Sequence, residues 1–430
     1  MSDSFDSDGS ASASWDSSGG STTGSDSVTE TSTEGYGSRL AGSLVAALIG
    51  LILIPVAIGV LYYNEGRAVD AIRALNRGAA ATVEVNSTAV DPATNGKLVH
   101  LTGMLRPTTP AKDPVFGVTG DGVVRLSRKV EMYQWEQETH TSSHQNVGGS
   151  KTTETTYSYE RKWSEQPVSS QNFHVPNGHQ NPAMQVQSAS FDGGDVKIGA
   201  YRVDPPVLNK LTNFTSLRPT SPPPSGYQVS GDGFYRGADP GQPAIGDVRV
   251  TFTEVPAQTA SIAAGQASGT LTAFRDVNGY TIALAEPGMA SAAAMFHDEK
   301  KSESMLTWIL RGAGFVAMLI GFVCVTRPLT MLFAIIPFLE SLVGAGAFLV
   351  ALALAVPITL LTISIAWIVH RPVIGLIMLV AAIGAFIGLR ALLPNRRPAI
   401  ATAAPGAMPP PMQPMAPPPA QPPSGSSFFR

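Results

Sequence analysis

The chain has 430 residues, 44% of them hydrophobic and 14% charged, with a net charge of -3 at neutral pH. Its charge is nearly balanced and no Lys/Arg-rich run breaks the balance, which argues against a nucleic-acid partner. The single cysteine, Cys324, rules out an intrachain disulfide and says nothing about redox compartment. The hydrophobic share comes from apolar blocks at Arg39–Tyr63 and Met305–Leu393, separated by a long polar stretch. Each block exceeds the roughly 20 residues a helix needs to cross a bilayer. The expected fold class is a membrane protein with four α-helical spans and a β-rich polar domain inserted between spans 1 and 2.

Taken in chain order, residues 1–38 are Ser, Gly, Thr and Asp with acidic charge unrelieved until Arg39, and are expected to be a disordered tail. Residues 39–63 form span 1, which starts too late and runs too long for a cleaved signal peptide. Pro55 is tolerable inside it, and Tyr62 and Tyr63 mark an interface. In residues 64–78, Val69, Ile72 and Leu75 recur at helical spacing, which predicts a juxtamembrane amphipathic helix ended by Gly78. Asn64, Glu65 and Arg67 are candidates for coupling the polar domain to the membrane; the alternative is a helix end with solvated charges.

From residue 79 to 294 the period changes to two, and the expected domain is β-rich. Val124, Leu126, Val130 and Met132 alternate with Arg125, Ser127, Lys129 and Glu131. Farther on, Tyr133 and Trp135 face a second run carrying Tyr157, Tyr159 and Trp163, which predicts a long hairpin. Those five aromatics are a candidate binding surface for a peptide, lipid or partner sheet, with core packing as the alternative. Gly120-Asp121-Gly122 is echoed by Gly231-Asp232-Gly233, a hint of two similar halves in a turn sequence that is common.

Residues 295–304 form a charged helical lead-in and 305–326 form span 2, with a break at Arg327-Pro328. Residues 327–342, which contain Pro337 and Glu340, are expected to be interfacial or re-entrant. Span 3 covers 343–369, a hinge lies at His370-Arg371-Pro372, span 4 covers 373–393, and 394–430 is a disordered Pro/Ala/Met-rich tail. Gly344, Gly346, Gly384 and Gly388 lie on small-residue faces that let helices approach within one chain or between copies. The cations flanking the spans are nearly balanced, so charge counting does not orient the chain.

Chemistry-bearing motifs are sparse. Glu136, Glu138, His140 and His144 cluster in one stretch and His174 lies near His179, but His140 and His144 sit in a Ser/Thr/Gly-rich loop and no His-Glu-x-x-His motif is present. Neither a Gly-x-Ser-x-Gly elbow nor a phosphate-cradling loop occurs. No catalytic, metal or cofactor site is therefore assigned. Glu340, an acid deep in an apolar block, is the residue a transport path would use.

Several motifs in order resemble one family. They are Asn64-Glu65-Gly66-Arg67-Ala68-Val69 after the first apolar block, Asn95-Gly96-Lys97-Leu98-Val99-His100-Leu101-Thr102-Gly103, Glu131-Met132-Tyr133-Gln134-Trp135-Glu136, Tyr157-Ser158-Tyr159-Glu160-Arg161-Lys162-Trp163 and Gly178-His179-Gln180-Asn181-Pro182. The chain resembles the transmembrane protein 43 (LUMA) family. The resemblance implies four spans, a large lumenal or extracytoplasmic domain with cytoplasmic termini, membrane organisation, self-association and no established catalytic residues. Animal members are placed in the endoplasmic reticulum and inner nuclear membrane. An excess of Arg over Lys with abundant Ala, Gly and Pro points to a GC-rich bacterial genome, for which the plasma membrane is the natural site. The expected function is a non-enzymatic membrane organiser or adaptor, a homo-oligomer in contact with lipids and unidentified envelope proteins. A transporter or channel using Glu340 is the alternative, and a membrane-surface hydrolase the second alternative.

Overall fold

The computed structural model describes residues 12–14, 26–373 and 377. The expected fourth span, the C-terminal tail, Gly384 and Gly388 lie outside the described residues. Three helices are long and apolar enough to cross a membrane: α1 (Tyr36–Ala81), α2 (Ala292–Leu332) and α3 (Pro337–His370).

α1 does not stop where the apolar block ends, so the expected juxtamembrane helix is its C-terminal part. The helix ends when the Thr82 amide and hydroxyl both donate to the Gly78 carbonyl, at 2.9 and 2.6 Å. Gly78 is thus not a left-handed stop. Its role is space: a Cβ there would stand 2.7 Å from Ile282 Cδ1 and 3.1 Å from Phe296.

α2 begins at Ser291, whose hydroxyl accepts from the Ala294 amide at 3.3 Å. It runs through Arg327-Pro328 without a break, and the turn falls at residues 333–336 instead. The expected interfacial segment 327–342 is therefore the end of one helix and the start of the next. Packing against α1 holds α2 just before Pro328: a Cβ on Gly50 would lie 2.4 Å from the Gly321 carbonyl and 2.8 Å from Cys324 Cβ. Pro337 opens α3, where its missing N–H costs nothing. Ala57, Leu61, Met318 and Ala355 form the buried centre of the bundle.

The polar region folds into two principal sheets. Five of their strands are β2 (Leu98–Arg106), β3 (Arg125–Gln145), β4 (Lys151–Ser164), β5 (Val248–Val255) and β6 (Gln258–Ala267). They follow β1 (Asp26–Glu34), which precedes α1. In the first sheet the order β1-β4-β3-β5 continues through Gly233–Arg236 to Gln228–Ser230. In the second, β6 pairs with β2, and a path through Thr270–Thr272, Tyr201–Val203 and Lys197–Ile198 returns to β2, so five strands close on themselves. Closure removes the exposed edges that an open sheet would leave. Val99, Leu101, Ile198, Tyr201, Ile262 and Leu271 fill this ring, and Leu126, Val130, Met132, Phe234, Val250 and Phe252 fill the core of the first sheet. Each sheet takes strands from early and late in the polar region. The two sequence halves therefore interleave and do not fold apart.

β1 lies inside the tail expected to be disordered. Its Val and Thr residues suit an extended strand, and it pairs with β4 from Asp26↔Tyr159 to Glu34↔Lys151. Its acids are met across the sheet: His174 Nε2 stands 3.1 Å from Glu30 and His179 Nε2 3.4 Å from Asp26.

β1, β3 and β4 make a long polar ribbon. From the Tyr133↔Trp163 rung to the tip it extends about 40 Å at the usual rise per strand residue. α1 covers about 38 Å between Arg39 and Asn64. The ribbon tip consequently meets the bundle at the end far from Asn64, where Gly148 N–H donates to the Ile335 carbonyl at 3.0 Å and Arg39 Nη1 to the Gly149 carbonyl at 2.6 Å.

Candidate functional site

Helical spacing assembles a polar seam where the three helices meet the sheets. Glu303, Thr307 and Arg311 recur every fourth residue along one face of α2, opposite Asn64, Glu65 and Arg67 of α1. Trp367 and His370 come from the last turn of α3.

Glu65 is at the centre of the seam and is 1% exposed. Arg311 grips its carboxylate with two donors, Nε to Oε1 at 2.6 Å and Nη2 to Oε2 at 2.8 Å. Trp367 Nε1 adds a third bond to Oε2 at 2.7 Å. The guanidinium lies 4.7 Å from the Trp308 ring centre and 5.8 Å from that of Trp367. A bidentate, ring-flanked pair of this kind is both strong and geometrically exacting. Gly66 lets the His370 ring pack against α1, since a Cβ there would stand 2.9 Å from His370 Nε2 and the ring would have to shift.

Moving toward the sheets, Asn64 Nδ2 donates to the Thr307 carbonyl at 3.2 Å and Arg67 Nη1 to Glu303 at 2.6 Å. The other Glu303 oxygen accepts from the Tyr280 hydroxyl at 2.9 Å. Burial, and then the Glu303 charge beside it, push the Tyr280 hydroxyl well above its ordinary range, so it stays protonated and donating. Arg77 pairs with Asp276, and Asn278 Nδ2 donates to the Asp70 carbonyl at 3.0 Å. The loop carrying Asp276, Asn278 and Tyr280 is thereby fastened to α1 and α2. Chemically the seam is a fastener, since the carboxylates of buried Glu65 and part-buried Glu303 are spent on neighbouring cations, a hydroxyl and an indole.

The sequence candidates separate in space. Asn64, Glu65 and Arg67 are all in the seam. Tyr133 and Trp163 face each other with ring centres 5.3 Å apart, while Trp135 and Tyr159 meet His179 at 4.8 and 3.8 Å and Tyr157 stacks on His174 at 4.2 Å. The aromatic face is therefore partly covered by the chain's own loop. Glu340 lies at the opposite end of the bundle, paired with Arg39 Nη2 at 2.8 Å. Gly344 and Gly346 have open space where a Cβ would be, whereas Gly50, Gly314 and Gly321 make the close helix contacts.

Sequence reasoning missed Arg311, Glu303, Trp367 and Tyr280. Arg311 had a signal: it is the only charge between Met305 and Thr326, and a charge in an apolar stretch needs a partner. Tyr280 had none, because its role depends on a loop folding back onto two helices distant in the chain.

Residues 132–372, which hold most of β3, all of β4, and α2 and α3, match the family model described as Transmembrane protein 43. The chain belongs to the transmembrane protein 43 family. It is 34% identical to Transmembrane protein 43 of Rattus norvegicus over 86% of this chain and 96% of that one. The Homo sapiens protein is 33% identical with the same coverage, and the Drosophila melanogaster homolog is 30% identical over 79% of this chain and 93% of its own. No solved structure matches. This member of the transmembrane protein 43 family is thus a membrane protein with, among the described residues, three apolar helices and a β-rich region fastened to them.

Proposed function

We propose that this protein is a non-enzymatic membrane organiser and adaptor that self-associates and presents its β-rich region to envelope proteins. The observation that carries this reading is the seam: Glu65 and Glu303 have each committed both oxygens to structural donors, which suits a rigid coupling of membrane part to binding part. Small open positions on α3, Gly344 and Gly346, supply the surface for a second copy. For a bacterial chain the plasma membrane is the site. Mass photometry of the purified protein in detergent tests the reading. Oligomers are expected for the wild type and smaller species for Gly344→Leu/Gly346→Leu. A wild type that is monomeric at every concentration would refute self-association.

The ribbon constrains how the bundle meets lipid. The outer strand of the ribbon is paired by Ser12–Ser14 over only three positions, and an open strand edge has no partners in hydrocarbon, where each unsatisfied backbone group costs several kcal/mol. The ribbon joins a strand preceding α1 to strands following it, so both ends of α1 would border one aqueous phase. The helices nevertheless offer lipid an exposed apolar flank, which includes Leu44, Leu48, Leu51, Ile52, Val56 and Val60 of α1. A second reading keeps four crossings, with the domain extracytoplasmic and the termini cytoplasmic. The length and apolarity of the three described helices favour it.

A further inference from the structure

The far end of the bundle holds a cleft of about 650 Å³ that the seam does not involve. It opens between the first turn of α1, the turn leading into α3 and the ribbon tip, and its charged lining is Glu34, Arg39, Lys151, Arg327 and Glu340. Glu340 is 7% exposed. Its Oε1 accepts from Arg39 Nη2 at 2.8 Å and from Gln145 Nε2 at 2.7 Å, but its Oε2 is buried without any donor. Leaving a buried carboxylate oxygen unsatisfied is costly, and a ligand N–H would remove that cost.

Two cations complete the picture. Among the described residues, the side chains of Lys151 and Arg327 make no ion pair or hydrogen bond, while Arg39 is held by Glu340 and the ribbon tip. Lys and Arg converging on one polar cleft are a phosphate-binding arrangement. An apolar rim adjoins the lining residues Met331 and Pro337: their neighbours along the helical turn, Leu332, Phe333, Ile336 and Phe338, are between 42% and 74% exposed.

We infer that this cleft binds a phosphate ester carrying a primary amine, the chemistry of a phosphatidylethanolamine headgroup. Lys151 and Arg327 hold the phosphate, the ammonium donates to Glu340 Oε2, and the apolar rim receives the acyl chains. A soluble ester such as phosphoethanolamine shares the polar part of that chemistry but cannot use the rim.

Native mass spectrometry of the full-length protein in detergent, titrated with phosphatidylethanolamine, phosphatidylcholine and phosphatidylglycerol, tests the assignment. The wild type is expected to retain phosphatidylethanolamine about tenfold better than either of the others, since one has no N–H and the other no amine. Glu340→Gln should reduce that preference to parity. If this variant fails to fold, Lys151→Met, which leaves the Arg39–Glu340 pair intact, should weaken retention of all three lipids several-fold. Displacement by soluble phosphoethanolamine would assign the site to the free ester, and no displacement would assign it to the lipid. Equal retention of the three lipids by the wild type would overturn the inference. So would undiminished preference in folded Glu340→Gln, or unchanged retention in Lys151→Met.

Discussion

At the scale of single residues, the seam turns on Glu65 and Arg311. The pair is buried, with side chains 2% and 17% exposed, so removing one partner strands the other. Glu65→Ala is expected to cost about 3–5 kcal/mol, measured by unfolding in detergent. The double variant Glu65→Ala/Arg311→Ala should cost less than the sum of the two single variants, because no charge is left unpaired. Two glutamates in the first sheet titrate in opposite senses. The Arg249 guanidinium, 2.7 Å away, holds Glu131 below the usual carboxylate range. Its stabilising effect is present above the unfolded value and is lost as pH falls through the folded one. Burial instead pushes Glu254 up, and its Oε2 has no partner. Its contribution is present below the unfolded value and is lost as pH rises through the folded one. Glu254→Gln should therefore raise the melting temperature at neutral pH and Glu131→Gln lower it, with both differences shrinking in acid.

At the scale of elements, close helix packing rests on glycines where no side chain fits. A Cβ on Gly314 would stand 2.5 Å from Leu61, and the Gly50–Gly321 contact is as tight. Gly50→Leu should destabilise the bundle by about 1–3 kcal/mol or rearrange it, which thermal unfolding would detect, whereas a Cβ at Gly344 meets none of the chain's own described atoms, so Gly344→Leu should not strain the bundle. Much of this level was legible in the sequence. The alternation at Val124–Met132 and the facing aromatics correctly marked a hairpin, because period two and cross-strand pairing are local signals. Helix ends were less legible. Arg327-Pro328 reads as a break, yet α2 continues through it to Leu332. Residues 26–34 read as tail, because the strand that pairs with them and the loop whose histidines approach Asp26 and Glu30 lie far along the chain. The same reasoning found Glu65 but not Tyr280, whose contact depends on how a distant loop folds.

At the scale of the whole molecule, the seam ties the sheets to one end of the bundle and the ribbon tip ties them to the other. The apolar blocks announced a membrane protein. How its polar part lies beside them could not be read, since β1 and β4 are separated by the whole of α1. On the first reading proposed above, their pairing would place both ends of α1 in a common aqueous phase. Two exposed positions report on it: Val147 at the ribbon tip, 88% exposed, and Val277 in the loop by the seam, 91% exposed. With Cys324→Ala as background, Val147→Cys and Val277→Cys would be labelled separately by a membrane-impermeant thiol reagent in intact and in lysed cells. The account predicts that the two positions behave alike, both labelled in intact cells or both only after lysis. Labelling of one but not the other in intact cells would put the ribbon tip and the seam on opposite sides of the membrane, and would contradict the account.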